Sequence, residues 1–465
     1  MKLTFCGGVG EVTGSRHHIE VEGLRLLLDC GLFQGHRGEA IQKNRQFLFE
    51  PAQLDAVLLS HAHIDHSGGL PLLVKRGFER KILCTPATAD LCGVMLMDSA
   101  HLQEEDARFF NKMHAGEGQT IEPLYDQDDA RRCLALLSGQ EFETTIPMGE
   151  RVRARFHNAG HVLGSAMIEV EAETPKGRRR LLFTGDLGRR DTLLLDPPEI
   201  PKQVDYLLIE STYGNRVHDP ISRIEGQMTT VIERAVKEKG KILIPSFALE
   251  RTQEILFVLE KLRRRQAIPS IPVYLDSPMA TAVTELFQKY RGAYPVATQF
   301  NDAVEQAGDP FGMERVHFVR DAEQSKRLND LPGPMVIVSA SEMCEGGRIL
   351  HHLRNNIGEE TTTILIVGYQ AQGTLGRRLA DGAKKVKVFG FEHKVWARVE
   401  VLHAFSAHAD RDDLLWFIGH LDPRPKKIFL VHGDNEDREA LAQRLKSEGI
   451  NGVERPGLGD VFDLD

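Results

Sequence analysis

Long apolar runs are absent from this sequence. No segment of the 465 residues approaches the roughly 20 consecutive apolar residues that a helix needs to span a bilayer. Residues 1–8 form a stretch that is too short and too rich in glycine to be the apolar part of a signal peptide. We therefore expect a protein that has no membrane partner.

Cysteine is also scarce, and its spacing is irregular. The paired spacing of zinc ribbons and of disulfide frameworks is missing from the six cysteines, which are Cys6, Cys30, Cys84, Cys92, Cys133 and Cys344. Disulfides are therefore not expected. Because thiols stay reduced in the cytoplasm, a cytoplasmic location is the expectation.

An excess of positive charge is the third feature that the sequence lacks. The formal net charge of −9 excludes a basic protein that coats nucleic acid. It does not exclude an enzyme of nucleic acid, because a local basic patch can bind phosphates on an acidic body. The candidate basic patches, each of which alone is more typical of a solvated surface, are residues 178–180, 189–190, 263–265, 377–378 and 384–385.

The most unusual stretch that is present follows the apolar run of residues 56–59, which predicts a buried strand. Four of the next seven residues are able to bind metal, namely His61, His63, Asp65 and His66. Imidazole nitrogen and carboxylate oxygen are ligands of borderline ions such as zinc. A chance turn rich in histidine is the alternative, and the pattern favours a metal site.

Other predicted strands end in the same kinds of side chain. The residues concerned are Asp29, His161, Asp186, Glu210, His408 and His432. A mononuclear hydrolytic zinc site needs only three protein ligands and a water molecule. The larger number of His and Asp residues at strand ends favours two metal ions, which can together activate water and stabilise the leaving oxygen of a phosphoryl transfer.

The pattern of predicted strands and helices changes twice along the chain. Residues 1–208 are rich in strands, residues 209–395 alternate between strands and helices, and residues 396–465 return to the first pattern. Regular alternation predicts a mostly parallel sheet covered by helices. We therefore expect a first domain formed by 1–208 and 396–465, into which 209–395 is inserted as a separate α/β domain.

These residues resemble the metallo-β-lactamase superfamily and, within it, the β-CASP nuclease branch. The run from His61 to His66, with Asp29, His161 and Asp186, resembles the superfamily, while Glu210 and the segments around His408 and His432 resemble the branch. The resemblance implies an α/β fold, in which an αββα sandwich carries an inserted β-CASP domain. It also implies a zinc-dependent ribonuclease that hydrolyses phosphodiester bonds of single-stranded RNA as an endonuclease, a 5′-exonuclease or both.

The resemblance further implies a role for each site residue. Two zinc ions are expected, and Asp186 would bridge them. One ion would be held by His61, His63 and His161, and the other by Asp65, His66 and His432. Asp29 would orient a ligand or the catalytic water by hydrogen bonding, and Asp65 also counts among the catalytic residues.

The acid–base pair is implied in the same way. His408 would protonate the leaving 3′ oxygen, and Glu210 would hold His408 in its charged form. His432 favours RNA over DNA, since DNA-processing members of the branch lack a histidine there. A homodimer is among the expectations.

A glycine-rich turn at residues 340–348 gives weaker evidence for a site of substrate contact. In the family the equivalent turn and the helix after it face the substrate phosphates, which suits the free N–H groups of a helix N-terminus. Ser341 and Arg348 are therefore candidate contacts to RNA phosphates, and structural roles are their alternative. His351 and His352 are adjacent on a predicted helix and point to different faces, so we do not assign them to the metal site.

Two other functions remain open at the level of sequence. A hydrolase of a small thioester or lactam would share the first motifs, but it would have no use for Glu210, His408 or the inserted domain. A catalytically inactive RNA-binding subunit is the other alternative. Such subunits usually lose several metal ligands, and none is missing here.

Overall fold

The computed structural model describes residues 1–35, 37–115, 120–291, 308–368 and 370–464. Contacts within the chain divide it into two compact units. The first unit comprises Met1–Arg190, Pro197–Val217 and His408–Asp465, and the second comprises Asp191–Asp196 and His218–Ala407.

The first unit contains two sheets, each of which has seven strands among the described residues. In the first sheet the spatial order is β22-β1-β2-β3-β4-β5-β6. Strands β22 and β1 to β3 pair antiparallel, whereas β3 to β6 pair parallel. The strands are β1 (Lys2–Gly7), β2 (Arg16–Val21), β3 (Leu24–Leu28), β4 (Ala56–Leu58), β5 (Ile82–Cys84), β6 (Leu137–Gly139) and β22 (Val461–Asp463).

The second sheet has the order β21-β20-β11-β10-β9-β8-β7. Strands β7 to β10 form an antiparallel meander, and β10, β11, β20 and β21 pair parallel. The late strand β20 therefore lies beside β11, which brings residues from the end of the chain next to Glu210. The strands are β7 (Ile146–Pro147), β8 (Val152–Asn158), β9 (Ala166–Thr174), β10 (Gly177–Phe183), β11 (Tyr206–Glu210), β20 (Lys427–Val431) and β21 (Val453–Glu454).

The two sheets pack face to face through alternating apolar side chains. Phe5 of the first sheet packs with Phe156, Phe183 and Phe429 of the second in one buried cluster. Full burial of a phenylalanine side chain contributes about 1.5–3 kcal/mol. This cluster fixes the sandwich, and with it the relative positions of the strand ends.

Helices cover the outer faces of the sandwich. Pro86–Met113 contacts β6 of the first sheet, and Arg411–His420 and Asn435–Ser447 share a buried cluster with the second sheet. The other described helices of this unit are Arg37–Asn44, Ile64–Ser67, Leu70–Lys75, Gln127–Leu134 and the 3₁₀ turn Pro51–Gln53.

The second unit contains a six-stranded sheet, counted over the described residues, whose strands pair parallel throughout. Its order is β14-β13-β15-β12-β16-β19. The strands are β12 (Lys241–Pro245), β13 (Val273–Leu275), β14 (Val316–Phe318), β15 (Met335–Ser339), β16 (Thr363–Ile366) and β19 (Arg398–Val401), and a separate hairpin consists of β17 (Lys385–Val388) and β18 (Phe391–Lys394). The predicted parallel sheet is therefore present.

Helices alternate with these strands along the chain, as the sequence pattern predicts. Those of the described residues are Ser222–Glu238, Arg251–Arg264, Pro278–Tyr290, Ala322–Leu328, Ile349–Asn356 and Leu375–Ala380. The predicted boundaries at 1–208, 209–395 and 396–465 stay a prediction. The contact division differs from them chiefly because β19, which lies after residue 396, pairs with β16 and so belongs to the second unit.

Two expectations drawn from absences can be compared with the structure. All six cysteines lie in the described residues, and each is a buried free thiol. No helix in the described part of the chain combines the length and the apolar character that crossing a membrane requires.

Candidate metal centre

The metal-competent residues of the first unit converge where strands of its two sheets end. Asp29 follows β3, and His61 to His66 follow β4 and lead into the short helix Ile64–Ser67. His161 lies in the turn between β8 and β9, Asp186 follows β10, and His432 follows β20. Because strands that pair parallel end at the same edge of a sheet, residues that are distant in sequence meet here.

Two glycines permit the close backbone packing that holds these loops. A Cβ atom at Gly31 would lie 1.6 Å from the Asp65 carbonyl oxygen, and one at Gly188 would lie 1.9 Å from the Gly160 carbonyl oxygen. Any larger residue would push the Asp65 and His161 loops away from their neighbours. These positions therefore require glycine for packing.

The first group of candidate ligands consists of three histidines and one aspartate. His63 Nδ1 lies 3.2 Å from His61 Nε2 and 3.3 Å from His161 Nε2. The Asp186 Oδ2 atom lies 3.5 Å from His61 Nε2 and 3.6 Å from His161 Nε2. Three imidazole nitrogens and one carboxylate oxygen thus face a common point.

The second group is formed by Asp65, His66 and His432. The Nε2 atoms of His66 and His432 are 3.1 Å apart, and Asp65 Oδ2 lies 3.6 Å from His432 Nε2. Asp186 Oδ1 lies 3.1 Å from His66 Nε2. One oxygen of Asp186 therefore faces the first group, and its other oxygen faces the second.

The donor set fits metal ions that take nitrogen and oxygen ligands. Metal binding requires neutral imidazole, and burial lowers the pKa of His63 to about 4 and that of His61 well below its ordinary value. Burial also acts against the ionised form of Asp186, but nearby His432 and His66 hold the pKa of its carboxyl well below the usual range. Burial alone would also lower the pKa of His66, but the Asp186 and Asp29 carboxylates raise it well above its ordinary value, so His66 would release a proton when a metal ion binds. The ligand types of the cluster are those of zinc sites.

Asp29 lies behind the ligands and fixes one of them. Its Oδ2 atom accepts a hydrogen bond from His66 Nδ1 at 2.6 Å, so His66 Nε2 points to the cluster. Its Oδ1 atom accepts from the Ser60 N–H at 2.7 Å, and Oδ2 accepts from Ser60 Oγ at 2.8 Å. Carboxylates that hold a ligating histidine in this way set its tautomer and its direction.

Two further hydroxyl groups lie at the site and are not among the residues predicted from the sequence. Ser60 Oγ lies 3.0 Å from His61 Nδ1, and Thr212 Oγ1 lies 3.2 Å from His432 Nδ1. Both could have been found from their positions, since Ser60 directly precedes the candidate ligand His61 and Thr212 follows the strand that ends in Glu210. Asp29 and His432 also have φ values of 57° and 45°, a left-handed conformation that is uncommon outside glycine and clusters at functional sites.

Glu210 and His408 form a hydrogen-bonded pair beside the cluster. Glu210 is fully buried, and its Oε1 atom accepts hydrogen bonds from His408 Nδ1 at 3.1 Å and from the Leu187 N–H at 2.6 Å. His408 Nδ1 also lies 3.9 Å from Asp186 Oδ2. Burial alone would lower the pKa of His408, but the Glu210 carboxylate outweighs it and raises that pKa to about 9.

The backbone holds His408 in this position. Residues 188 and 408 form an isolated antiparallel bridge, and the Ala409 N–H donates to the Leu187 carbonyl at 2.7 Å. The His408 side chain keeps 23% of its surface exposed, whereas that of Glu210 has none. The imidazole can therefore contact a bound molecule while its Nδ1 atom stays paired with Glu210.

The predicted phosphate contacts, Ser341 and Arg348, lie in the second unit. The Arg348 guanidinium donates to Asp276 Oδ1 at 2.7 Å and to the carbonyls of Val319 and Arg320, each at 3.1 Å. Ser341 Oγ accepts from the Glu345 N–H at 3.3 Å. Both contacts to RNA stay predictions, and the structure gives Arg348 a structural role in its own unit.

Asp276 connects Arg348 to a buried histidine. Its Oδ2 atom lies 2.6 Å from His352 Nε2 and accepts from Ser325 Oγ at 2.5 Å. Burial would raise the pKa of Asp276, but hydrogen bonds from His352, Ser325 and Arg348 lower it overall. His352 is thus hydrogen-bonded to Asp276 in the second unit and does not lie among the candidate metal ligands.

We expect Asp276→Ala to destabilise the second unit. The substitution leaves His352 and Arg348 without their common acceptor, and removal of one member of a buried ion pair costs about 3–5 kcal/mol. Urea unfolding followed by circular dichroism measures the change. Lys326→Ala, which removes only an exposed pair with Glu323, is the control, and equal stability of the two variants would contradict the prediction.

Comparison with protein families identifies the class to which this architecture belongs. Residues 18–246 match the metallo-β-lactamase superfamily, residues 252–379 match the β-CASP domain, and residues 392–454 match the Zn-dependent metallo-hydrolase RNA specificity domain. The chain belongs to the metallo-β-lactamase superfamily and to its β-CASP branch. The predicted α/β fold with an inserted β-CASP domain is therefore confirmed.

Three relatives are similar to this chain over nearly its whole length. Ribonuclease TTHA0252 of Thermus thermophilus is 37% identical over 97% of both chains. Transcription termination factor FttA of Methanosarcina mazei is 31% identical over 96% of this chain and 69% of its own, and an RNase J-like protein of Methanocaldococcus jannaschii is 31% identical over 95% of both.

A solved structure supports the fold alone. The crystal structure of a protein of unknown function from Enterococcus faecalis is similar with a TM-score of 0.54 at 15% identity. The similarity covers 100% of this chain and 99% of the other.

Proposed function

We propose that the protein is a metal-dependent ribonuclease that hydrolyses phosphodiester bonds of single-stranded RNA in the cytoplasm. The observation that carries the proposal is the pair of His408 and Glu210 beside a cluster of seven candidate metal ligands. The cluster alone suits many hydrolytic reactions. A histidine that is held by a buried carboxylate next to the cluster adds an acid for the departing oxygen of a phosphodiester.

Two zinc ions are the proposed cofactors. His61, His63 and His161 would hold one ion, Asp65, His66 and His432 would hold the other, and Asp186 would bridge them. The support for a bridge is that the two oxygens of Asp186 face different groups. When bound, two such ions supply Lewis-acid activation of water and of the phosphoryl group.

The remaining residues would position ligands and move a proton. Asp29 would keep the Nδ1 proton on His66 and so leave Nε2 as the ligating atom. His408 would carry a proton on Nε2 and give it to the 3′ oxygen as the bond to phosphorus breaks. Glu210 would keep the Nδ1 side of His408 fixed and stabilise the charged imidazole. The products would be a 5′-phosphate and a 3′-hydroxyl.

The test of this function is incubation of the purified protein and zinc with RNAs that are labelled at either end. We expect cleavage of RNA and none of a DNA of the same sequence. Internal products from both labels would indicate endonucleolytic cutting. Single nucleotides released from the 5′ end, faster from 5′-phosphate than from 5′-hydroxyl RNA, would indicate exonucleolytic cutting.

The same assay, run beside assays for hydrolysis of a small thioester and a lactam, separates the alternatives. A protein that binds zinc but hydrolyses only a small thioester or lactam would contradict the proposal. So would a protein that binds RNA and has no hydrolytic activity with zinc present. The chelator EDTA provides the control for metal dependence, since it should stop cleavage and re-addition of zinc should restore it.

A further inference from the structure

The hairpin of β17 and β18 has an unusual surface. We use the name basic hairpin for residues 384–398, which include both strands. Among the described residues, five aromatic side chains are exposed large hydrophobics, and three of them lie in the basic hairpin. They are Phe389, Phe391 and Trp396, which expose 44%, 73% and 56% of their surfaces.

The basic hairpin is also strongly positive on a negative protein. It contains five lysine and arginine residues and one glutamate, whereas the whole chain has a net charge of −9. Two of the five have partners, since Lys385 pairs with Glu392 and Arg398 pairs with Glu238. The exposed residues Lys384, Lys387 and Lys394 add to the positive surface.

The strand register assigns these side chains to faces. Lys385 is opposite Lys394 and Lys387 is opposite Glu392, whereas the buried residues Val386 and Val388 are opposite His393 and Phe391. Opposite residues in an antiparallel pair share a face, and successive residues alternate between faces. Val395 packs against the core, so the next residue, Trp396, belongs to the outer face with the lysines.

The two most exposed aromatic residues differ from Phe389. The ring of Phe389 lies 4.7 Å from that of His351 and 5.7 Å from the Arg354 guanidinium carbon, so it serves the packing of the unit. Phe391, at the start of β18, is exposed but is opposite the buried Val388, so it lies on the face away from the lysines. Trp396, just after the end of β18, presents most of its surface to solvent on the lysine face. Apolar rings among lysines stack on nucleic-acid bases while the lysines contact phosphates.

A second copy of the protein is a poorer partner for this face. In a two-fold dimer the same patch meets itself, which would bring lysines of one copy against lysines of the other. A polyanion with planar rings satisfies both the charge and the aromatic surface. Single-stranded RNA has both properties, because its bases are not enclosed in a duplex.

We propose that the basic hairpin is an accessory binding surface for single-stranded RNA. A base would stack on Trp396, and Lys387 and Lys394 would contact phosphates. The surface does not take part in the chemistry, and its contribution would grow with the length of the RNA because a longer strand offers it more bases and phosphates. The inference rests on the proposed ribonuclease function.

The test compares a uridine 20-mer with a uridine 6-mer on the full chain. Affinity is measured by fluorescence anisotropy in EDTA, and cleavage is measured separately with zinc. We expect Trp396→Ala to weaken binding of the 20-mer about tenfold or more, in line with the loss of base stacking. Its kcat/KM for the 6-mer should equal that of the parent protein.

The lysines are tested through salt dependence. Lys387→Ala/Lys394→Ala should reduce the slope of log affinity against log salt by about 1.4, since each phosphate contact to a single strand contributes about 0.7. The matched control is Phe109→Ala/Lys112→Ala on the helix Pro86–Met113, where Phe109 is 68% exposed. This control should bind both RNAs as the parent protein does.

Several outcomes would overturn the inference. One is unchanged 20-mer affinity in the hairpin variants, and another is equal weakening in the control. A fall in molar mass by light scattering, with RNA affinity unchanged, would assign the face to self-association instead. If the parent protein binds the 20-mer but cleaves neither RNA, the proposed function fails, while a loss of binding in the hairpin variants would still support the surface.

Discussion

Asp186→Ala is expected to reduce RNA cleavage about a thousandfold or more, because metal ions supply several kcal/mol of charge stabilisation in such reactions. Asp186 is the residue whose two oxygens face both ligand groups, at 3.5 Å from His61 and 3.1 Å from His66. Loss of its carboxylate removes one ligand from each group and leaves buried histidines near one another. We therefore expect a lower zinc content as well as a lower rate.

The measurements are single-turnover cleavage of end-labelled RNA and zinc content by mass spectrometry, with a thermal melt to check folding. His63→Ala should behave in the same way, since His63 Nδ1 contacts both other histidines of the first group. Asp128→Ala, which removes an exposed carboxylate paired with Arg131, should be as active as the parent protein. Parent-level cleavage by a folded Asp186→Ala variant would rule out the proposed metal centre.

The proximity of the candidate metal ligands could be predicted from the sequence because these residues share a local pattern. His61, His63, Asp65 and His66 lie within six consecutive positions. Asp29, Asp186 and His432 each follow an apolar strand, so a parallel arrangement of the strands is enough to bring them together. The order of the strands was not accessible in this way. That β20 lies between β11 and β21, and so places His432 beside Thr212, follows from packing between segments more than 200 residues apart.

The role of a residue is harder to predict from the sequence when it depends on partners that are distant in the chain. Arg348 sits in a glycine-rich turn, which suggested a phosphate contact, but its sequence neighbours do not include Asp276, to which it donates. Asp276 itself lies at the end of β13, the position that elsewhere signalled metal binding. The same local pattern therefore occurs at a buried ion pair in one unit and at the candidate metal ligands in the other, and only the identity of the neighbouring residues distinguishes the two.

The basic hairpin illustrates a third limit. Residues 384–385 are a pair of lysines of the kind that usually lies on a solvated surface, and the sequence alone offered no reason to prefer RNA binding. The register of β17 and β18 changes this assessment. It leaves Trp396 on the same face as Lys385 and Lys394, while the alternating valines anchor that face to the core.

His408→Ala is expected to reduce the rate of cleavage by about 10²–10⁴-fold, the usual contribution of a positioned general acid, while zinc content remains near that of the parent protein. The reason for the difference from Asp186→Ala is position. His408 Nδ1 is 3.1 Å from Glu210, whereas it is 3.9 Å from the nearest oxygen of Asp186. The variant should therefore lose the proton donor and keep the ligands.

Glu210→Gln extends this prediction, since it keeps a side chain that can accept from the Leu187 N–H but removes the charge that holds His408. We expect a smaller loss than in His408→Ala, and little further loss when the two substitutions are combined, because residues that act as a unit are not additive. An RNA analogue with sulfur in place of the leaving 3′ oxygen provides a sharper measurement. A thiolate departs without a proton, so this analogue should restore most of the rate in His408→Ala and none in Asp186→Ala. Equal rescue of both variants, or full activity of His408→Ala on ordinary RNA, would exclude His408 as the general acid.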